Sequence, residues 1–325
     1  MRILAILVNY NGKDIIGRAI ESVQRQLVQD IAEEVTQKII VMDNASTDGS
    51  VEFLHEKYPD VFIMKSEKNL GFGVPINVAT ALVKEIRDEY DYILLLNSDA
   101  VLDEHWLLYA LEPMTDETVF AVNGKTFLMH ESHIQNAGSA IFGAGYGRDR
   151  GAVVEDQRQK YESDMGQYDS ACSVQAFCGV AVLLRLNVFE KLDGFDPSFF
   201  LYYEDTDLSV RAQKAGYRIQ YEPRAIAYHE HAKTSSENSP FFLYHSKRSR
   251  LIFLLKHFSW SVCFRELAMY KLRALYSVFY RPLVRFLAIK VLFSLVPELL
   301  SILKYRLSQS SDEKRRWVQI EKEMY

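Results

Sequence analysis

Four short apolar runs in the first hundred residues constrain the fold of this chain more than any other feature. They are ILAILVNY (3–10), KIIVMD (38–43), VFIMKS (61–66) and YDYILLLNSDA (90–100). Short, Ile/Val/Leu-rich runs bounded by turn residues read as interior strands. Between them lie DIIGRAIESVQRQL, SVEFLHEKY and PINVATALVKEIRD, and in the first of these Ile16, Ile20, Val23 and Leu27 recur at helical spacing. Strand and helix patterns alternating in this way predict βαβ units, hence a mostly parallel, Rossmann-like α/β sheet flanked by helices. All four runs end in polar residues: Asn9-Tyr10, Asp43-Asn44, Lys65-Ser66 and Asn97 to Asp99. One rim of the sheet therefore collects polar groups, at the strand ends where ligands bind in open α/β sheets.

The second run poses a chemical question. IIVMDNASTDGSVEFL (39–54) passes from an apolar strand through a turn of small polar residues into a helix. Asp48 or Ser50 is accounted for as an N-cap. Asp43, at the carboxyl end of a central strand, is not, and its position suits a ligand contact.

Other segments carry chemistry of their own. In KNLGFGVPINVATAL (68–82), Gly71 and Gly73 allow positive φ, and Pro75 suits a first helical turn whose amides can receive phosphate oxygens. A plain glycine-rich connection explains the same residues equally well. GxGxxG is absent, and GAGYG (143–147) has the wrong spacing and no clear strand before it, which argues against nicotinamide binding. Asp99 ends the fourth strand, and a hard divalent cation carrying a diphosphate needs only one or two protein carboxylates. In LDGFDPSFFLYYEDTDLSVRAQKAGYRI (192–219), Glu204, Asp205 and Asp207 crowd a helix start behind an aromatic approach. Acidic residues there complement the helix dipole. They also suit a site for sugar hydroxyls, where a carboxylate kept ionised by the helix start accepts a proton during attack. In AIAYHEHAKTSS (225–236), His229 and His231 alternate along an extended segment, without the CxxC or HExxH partners of a structural zinc site. One histidine completing the metal shell of Asp99 is the functional reading.

Composition narrows the class. The 325 residues are 48% hydrophobic and 25% charged, ordinary for a globular protein, and the net charge of −5 argues against generic nucleic-acid binding, leaving local basic patches open. Cys172, Cys178 and Cys263 form no CxxC pair, which fits a reducing cytoplasm. MRILAILVNYNG reads as a first strand rather than a signal peptide, since no small-residue cleavage site follows it. From about 120 to 185 the pattern is irregular: NAGSAIFGAGYGRDRG is glycine-rich and EDQRQKYESDMGQYDS polar, both expected to form loops over a site, and VQAFCGVAVLLRLNVFEKL returns to a strand followed by a helix. Past Ser236 the chain turns helical, aromatic and basic, dividing it into residues 1–236 and 237–325. RPLVRFLAIKVLFSLVPELLSILKY (281–305) is apolar but interrupted by Lys290, Pro297 and Glu298. Its flanking Arg281, Arg285, Lys304 and Arg306 suit an interfacial helix on an anionic membrane. Packing onto the first region, or a homo-oligomer interface, fits equally well.

Taken in order, VNYNG, DNASTDGS, NLGFG, NSDA, GFDPSFFLYYEDTDLSVRAQKAG and the following His-x-His resemble the family 2 glycosyltransferases over residues 3–236. The middle segment with AGSA and GQYDS and the YHSKRSRLIFLLKH tail are similar to its bacterial rhamnosyltransferase-like branch. The resemblance implies a GT-A fold with a helical C-terminal extension, a nucleotide-diphosphate sugar donor, a divalent cation (Mn or Mg) and inversion at the anomeric carbon. Carried over residue by residue, Val8, Asn9 and Tyr10 line the nucleotide pocket, and Asp43 hydrogen-bonds the base or ribose. Asn69 and Gly71 approach the donor, as do Asn97 and Ser98. Asp99 ligates the metal with His229, preferred over His231 for its spacing from Asp205. Asp205 is the base that deprotonates the acceptor hydroxyl, and Glu204 holds the acceptor or positions Asp205. Two departures stand out: Asn97-Ser98-Asp99 replaces the usual Asp-x-Asp, and Val74-Pro75 replaces the small residues expected after the glycines.

By resemblance the donor is dTDP-rhamnose, with UDP-sugars second, and the acceptor a glycan or lipid-linked hydroxyl in cell-surface polysaccharide synthesis. A cytoplasmic location follows, peripheral on the inner face of the membrane. The competing class is a non-catalytic nucleotide-sugar- or carbohydrate-binding protein on the same fold. Asp43, Asp99, Asp205 and His229 together argue against it, since binding alone needs no base. A nucleotidyltransferase should show a basic glycine-rich N-terminal loop, and VNYNGKDIIGRAI offers only Lys13 and Arg18.

Overall fold

The structure is a computed structural model that describes residues 1–28, 34–155, 158–230, 239–276 and 282–322. The four apolar runs form β1 (Arg2–Asn9), β2 (Thr36–Asp43), β3 (Phe62–Lys65) and β4 (Tyr92–Asn97). Helices α1 (Ile16–Gln24), α2 (Ser50–Lys57) and α3 (Gly73–Glu85) connect them. All four strands are parallel, in the spatial order β3-β2-β1-β4. Alternation along β1 explains the two layers of helices. Ile3, Ala5 and Leu7 pack with Ile16, Ile20 and Val23 of α1, whereas Leu4 and Ile6 pack with Ile76, Ala79 and Val83 of α3. Asp48 stabilises the start of α2, although Gly49 occupies the cap position. One of its oxygens accepts the Ser50 amide at 3.0 Å and the other the Lys13 amide at 2.9 Å.

After β5 (Ala100–Leu102) and α4 (Trp106–Leu111), the irregular stretch, including the two segments expected to form loops, is largely strand. It holds β6 (Val119–Leu128), β7 (His133–Asn136), β8 (Ser139–Phe142), β9 (Tyr146–Asp149), β10 (Ala152–Glu155), β11 (Arg158–Ser163) and β12 (Cys172–Val174). The strand pattern of β6 is hidden because Asn123, Lys125 and Thr126 are buried within it. Two of them find partners on other segments: Asn123 bonds Asn136 at 3.0 Å, and Lys125 reaches Asp164 at 3.1 Å. The GAGYG segment joins β8 to β9 in a hairpin. β13 (Ala181–Arg185) then runs antiparallel between β4 and β6 and extends the main sheet. Helices α5 (Leu186–Lys191) and α6 (Glu204–Lys214) follow, and β14 (Arg218–His229) pairs with β6, β12 and β5.

The tail consists of α7 (Pro240–His257), α8 (Trp260–Tyr276), α9 (Pro282–Ser294), α10 (Leu299–Ser308) and α11 (Ser311–Lys322). Ser239 caps α7 by accepting the Phe242 amide, with Pro240 in the first turn. The division at residue 236, His231 and Arg281 lie outside the described residues, as does the side chain of Arg285. Leu251, Phe253 and Leu254 of α7 share one apolar cluster with Phe199 and Val210, so the tail packs onto α6.

Charge reinforces that contact. Asp207 of α6 is fully buried and lies 2.7 Å from Arg211, 2.6 Å from Lys256 and 2.8 Å from His257. Lys256 also holds Asp196 at 2.5 Å. Burial alone would raise the Asp207 carboxyl, but Lys256 and Arg211 hold it well below the usual carboxylate range. Removing one partner of such a cluster strands buried charge. Asp207→Asn should therefore cost about 3–5 kcal/mol of stability, read as a lowered denaturation midpoint.

Candidate active site

Two loops interlock at the carboxyl ends of β1 and β2. The Asn9 amide donates to Asp43 Oδ2 at 2.9 Å and to Ser46 Oγ at 3.2 Å, and the Ser46 backbone amide donates to Asp43 Oδ1 at 2.9 Å. Asn11 closes the interlock: its backbone amide donates to Ser46 Oγ, and its side-chain oxygen accepts the Thr47 amide. Asp43 is thus buried, and both its oxygens hold the loop, each keeping one lone pair for a second donor. Asn9 Oδ1 is buried without a donor among the described residues. Val8 is half-buried beside Met42 and Asn97, and Tyr10 is exposed.

The glycine loop is bound to this rim. The Asn44 side chain donates to the Gly71 carbonyl at 2.7 Å, and Asn69 Oδ1 accepts the Gly71 amide at 2.9 Å. Gly71 has φ +82°, and a Cβ there would stand 2.0 Å from the Phe200 carbonyl oxygen. Only glycine lets this loop meet the aromatic approach to α6. The Phe72 amide donates to the same Phe200 oxygen at 3.1 Å.

Asp99 and His229 meet through sheet register. Pairing of β14 with β5 sets His229 opposite Ala100, and His229 Nε2 stands 3.0 Å from Asp99 Oδ1. On the far side of the ring, Nδ1 lies 2.8 Å from Gln135 Oε1, an arrangement that fixes the imidazole and directs Nε2 to the site. Among the described residues no three His, Cys, Asp or Glu side chains form a complete metal cage. One carboxylate oxygen and one imidazole nitrogen do fit a divalent cation whose other ligands are diphosphate oxygens and water.

Glu204 and Asp205 open α6, and the backbone is strained as it enters: Tyr202 and Tyr203 have φ of 65° and 69°. Consecutive non-glycine residues in the left-handed region need support from their surroundings. The Tyr203 hydroxyl accepts the Gly147 amide, and its ring packs on Phe253 of α7. Asp205 Oδ1 accepts the Thr206 amide at 2.6 Å, and Oδ2 accepts the Gly179 amide at 3.2 Å. Glu204 Oε2 is buried with no partner among the described residues. Burial raises the Glu204 carboxyl to about 8, with the Asp205 charge adding to the effect. Burial likewise raises Asp205, to about 6, opposed by the Thr206 amide and reinforced by Asp149. The helix start does not keep both ionised, because desolvation outweighs the dipole. Both carboxyls therefore lie above the usual carboxylate range, and desolvation raises Glu204 further than Asp205.

These residues share one rim. Gly179 binds Asp205, the next carbonyl, Val180, accepts the Asn97 amide at 2.9 Å, and Asp99 follows two residues later. Asn97 and Ser98 are half-buried there. Sequence reasoning missed Gly179, Gln135, Asn123 and Asp149, which sit in the stretch of irregular pattern from about 120 to 185. Asn123 accepts the Cys178 amide at 2.6 Å, and Asp149 is held by Asn136 and Ser139. A groove lined by Arg2, Lys84, Asp88 and Glu190 lies at the opposite end of the strands, away from these groups.

Comparisons with known proteins agree with this architecture. The family described as "Glycosyltransferase like family 2" matches residues 2–252. The N-acetylglucosaminyl-diphospho-decaprenol L-rhamnosyltransferase of Mycobacterium tuberculosis is 27% identical over 251 residues, covering 71% of this chain and 78% of that protein. Rhamnosyltransferase WbbL of Escherichia coli is 26% identical over 254 residues, covering 74% and 89%. Mannosyltransferase PcManGT from Pyrobaculum calidifontis, solved with GDP-Man and Mn2+, superposes with a TM-score of 0.54 at 14% identity, covering 99% of this chain and 84% of that one. GalNAc-T7, solved with UDP, GalNAc and Mn2+, gives a TM-score of 0.55 at 13% identity; the match covers 79% of this chain and 48% of the GalNAc-T7 chain. The fold is GT-A.

The carboxylate pair makes an asymmetric prediction. In Asp205→Asn, Glu204 should titrate below about 8, because the neighbouring charge is gone. Glu204→Gln should leave Asp205 near 6, because Glu204 is still neutral when Asp205 ionises. Carboxyl 13C NMR titration reads both, and the reverse pattern would put the proton on Asp205.

Proposed function

Because this chain belongs to glycosyltransferase family 2, we propose that it transfers a sugar, rhamnose in our reading, with inversion from a nucleotide-diphosphate donor. The acceptor is a hydroxyl of a glycan or lipid-linked saccharide in cell-envelope polysaccharide synthesis. The names of its rhamnosyltransferase relatives support the sugar and the pathway, with dTDP-rhamnose the first donor to test and UDP-sugars the second. Residues 1–236 form the catalytic unit and 237–325 the helical region behind it.

In this reading the interlocked loops receive the nucleotide. Val8 and Tyr10 flank the base, Asn9 and Asp43 offer it their remaining acceptors, and Asn69, Gly71, Asn97 and Ser98 approach the sugar-diphosphate. Asp99 and His229 would hold a divalent cation, Mn or Mg, which when bound neutralises charge on the departing diphosphate. Asp205, ionised at neutral pH, takes the proton of the attacking hydroxyl as that oxygen bonds to the anomeric carbon. Glu204, raised by burial and with an oxygen that has no partner among the described residues, holds the acceptor hydroxyl group. The observation that carries the proposal is the run of contacts from Asp205 through Gly179, Val180 and Asn97 to Asp99. It supports a reading in which a base and a cation site share one rim, as attack opposite a departing diphosphate requires.

Asp205→Asn should lower transfer by about 10²-fold or more while leaving donor affinity intact, measured with a panel of sugar nucleotides and Mn or Mg. Undiminished transfer by that variant would remove Asp205 as the base. Wild-type rates should fall as pH drops through about 6, because Asp205 must be ionised to accept the proton. Asp99→Ala and His229→Ala should each weaken Mn binding, read by calorimetry in the presence of the nucleoside diphosphate.

A further inference from the structure

The C-terminal helices carry an apolar face that no described part of the chain covers. Phe286, Ile289 and Phe293 of α9 and Leu300, Leu303 and Leu307 of α10 face solvent, and Phe293, Leu300 and Leu307 are 74, 73 and 81% exposed. The opposite sides of the same helices are committed to protein: Val291, Leu295 and Ile302 are buried with Leu251 and Phe253 of α7. Patches of this kind on a polar protein mark interaction sites.

Residues Phe286–Ser308 are long and apolar enough to cross a membrane, but their packing is wrong for a span. A 3₁₀ turn at Val296–Glu298 separates α9 from α10. Arg306 donates to the carbonyls of Leu255 and Phe258 at 2.8 Å, beside Lys256 and His257 of the buried charge cluster. A bilayer closing round 286–308 would have to engulf that cluster. A face lying in the interface needs no such cost.

Charge selects the kind of surface. From 286 to 308 the exposed charged residues are Lys290 and Lys304. The only acid, Glu298, is bound to Arg248 at 2.5 Å. A second copy of the chain would set like charges against each other. Anionic headgroups would meet both lysines while the apolar side chains enter the acyl boundary. The face also adjoins the site: Arg248 donates to the Ser198 carbonyl at 2.6 Å, in the loop leading to Glu204 and Asp205.

We propose that this face seats the protein on an anionic membrane surface, with α9 and α10 lying in the interface rather than across it. The consequence, which rests on the glycosyltransfer reading, is that a lipid-linked acceptor reaches Asp205 from the surface that the protein occupies.

The test uses the full chain and vesicles of phosphatidylcholine with or without about 30% phosphatidylglycerol. Wild type should co-sediment with the anionic vesicles at low salt. Removing phosphatidylglycerol, or the double substitution Phe293→Glu/Leu300→Glu, should each weaken binding by about tenfold or more. Both side chains are exposed, and an unchanged thermal melt confirms that the variant is folded. Equal binding by the variant, equal binding to neutral vesicles, or none at low salt would overturn the proposal. So would a wild-type dimer, seen by sedimentation velocity, that the substitution makes monomeric. Donor hydrolysis without vesicles should match in the two proteins; if both lack it, the enzymatic reading fails and the docking result stands.

Discussion

Asp207 sits in the first turn of α6 with no exposure to water, between Arg211, Lys256 and His257. That cluster pins α6 to α7 and to the loop at Asp196, and the rest of the site is built on the helix so held. Glu204 and Asp205 precede it in the same turn and have no cation beside them among their described contacts. Three carboxylates at one helix start therefore behave in opposite ways. Cations hold Asp207 far down, while burial pushes Glu204 and Asp205 up. The dipole acts on all three alike, so the difference comes from desolvation and specific partners.

Sheet topology supplies the other half of the site. Parallel strands deliver Asn9, Asp43 and Asn97 to one edge. The antiparallel β13 begins at that edge, which is why Gly179 and Val180 can join Asp205 to Asn97. β14 runs back beside β5 and brings His229 to Asp99 across 130 residues of sequence. Strained backbone marks the places where these parts meet, with positive φ at the non-glycine residues Asn11, Ala45, Tyr202 and Tyr203. Such conformations persist when neighbours over-determine them, and here both loops and α6 are held by side-chain hydrogen bonds.

Much of this was legible beforehand. β1 to β4 and their helices follow from apolar periodicity, and the polar rim follows from where the runs stop. Asp43 was marked by position alone, though the structure adds that its oxygens first serve the loop. The stretch from β6 to β12 was not legible, because Asn123, Lys125 and Thr126 put polar groups where a strand should be apolar. The partners of Asn123 and Lys125, namely Asn136, Asp164, Asp169 and Cys178, lie 13 to 55 residues away, beyond any local pattern. For the same reason Gln135 behind His229 and Asp149 near Asp205 carried no signal.

Sequence alone determined the α/β order, the rim, the acidic helix start and the apolar tail, since each depends on local spacing and side-chain polarity. Tertiary structure decided that Glu204 and Asp205 are pushed up by burial while Asp207 is held down, which imidazole nitrogen faces Asp99, and which side of α9 and α10 is left to solvent. Those outcomes depend on burial and on partners distant in the chain. Desolvation and pairing are set by what the fold brings close, and no neighbouring residue encodes them.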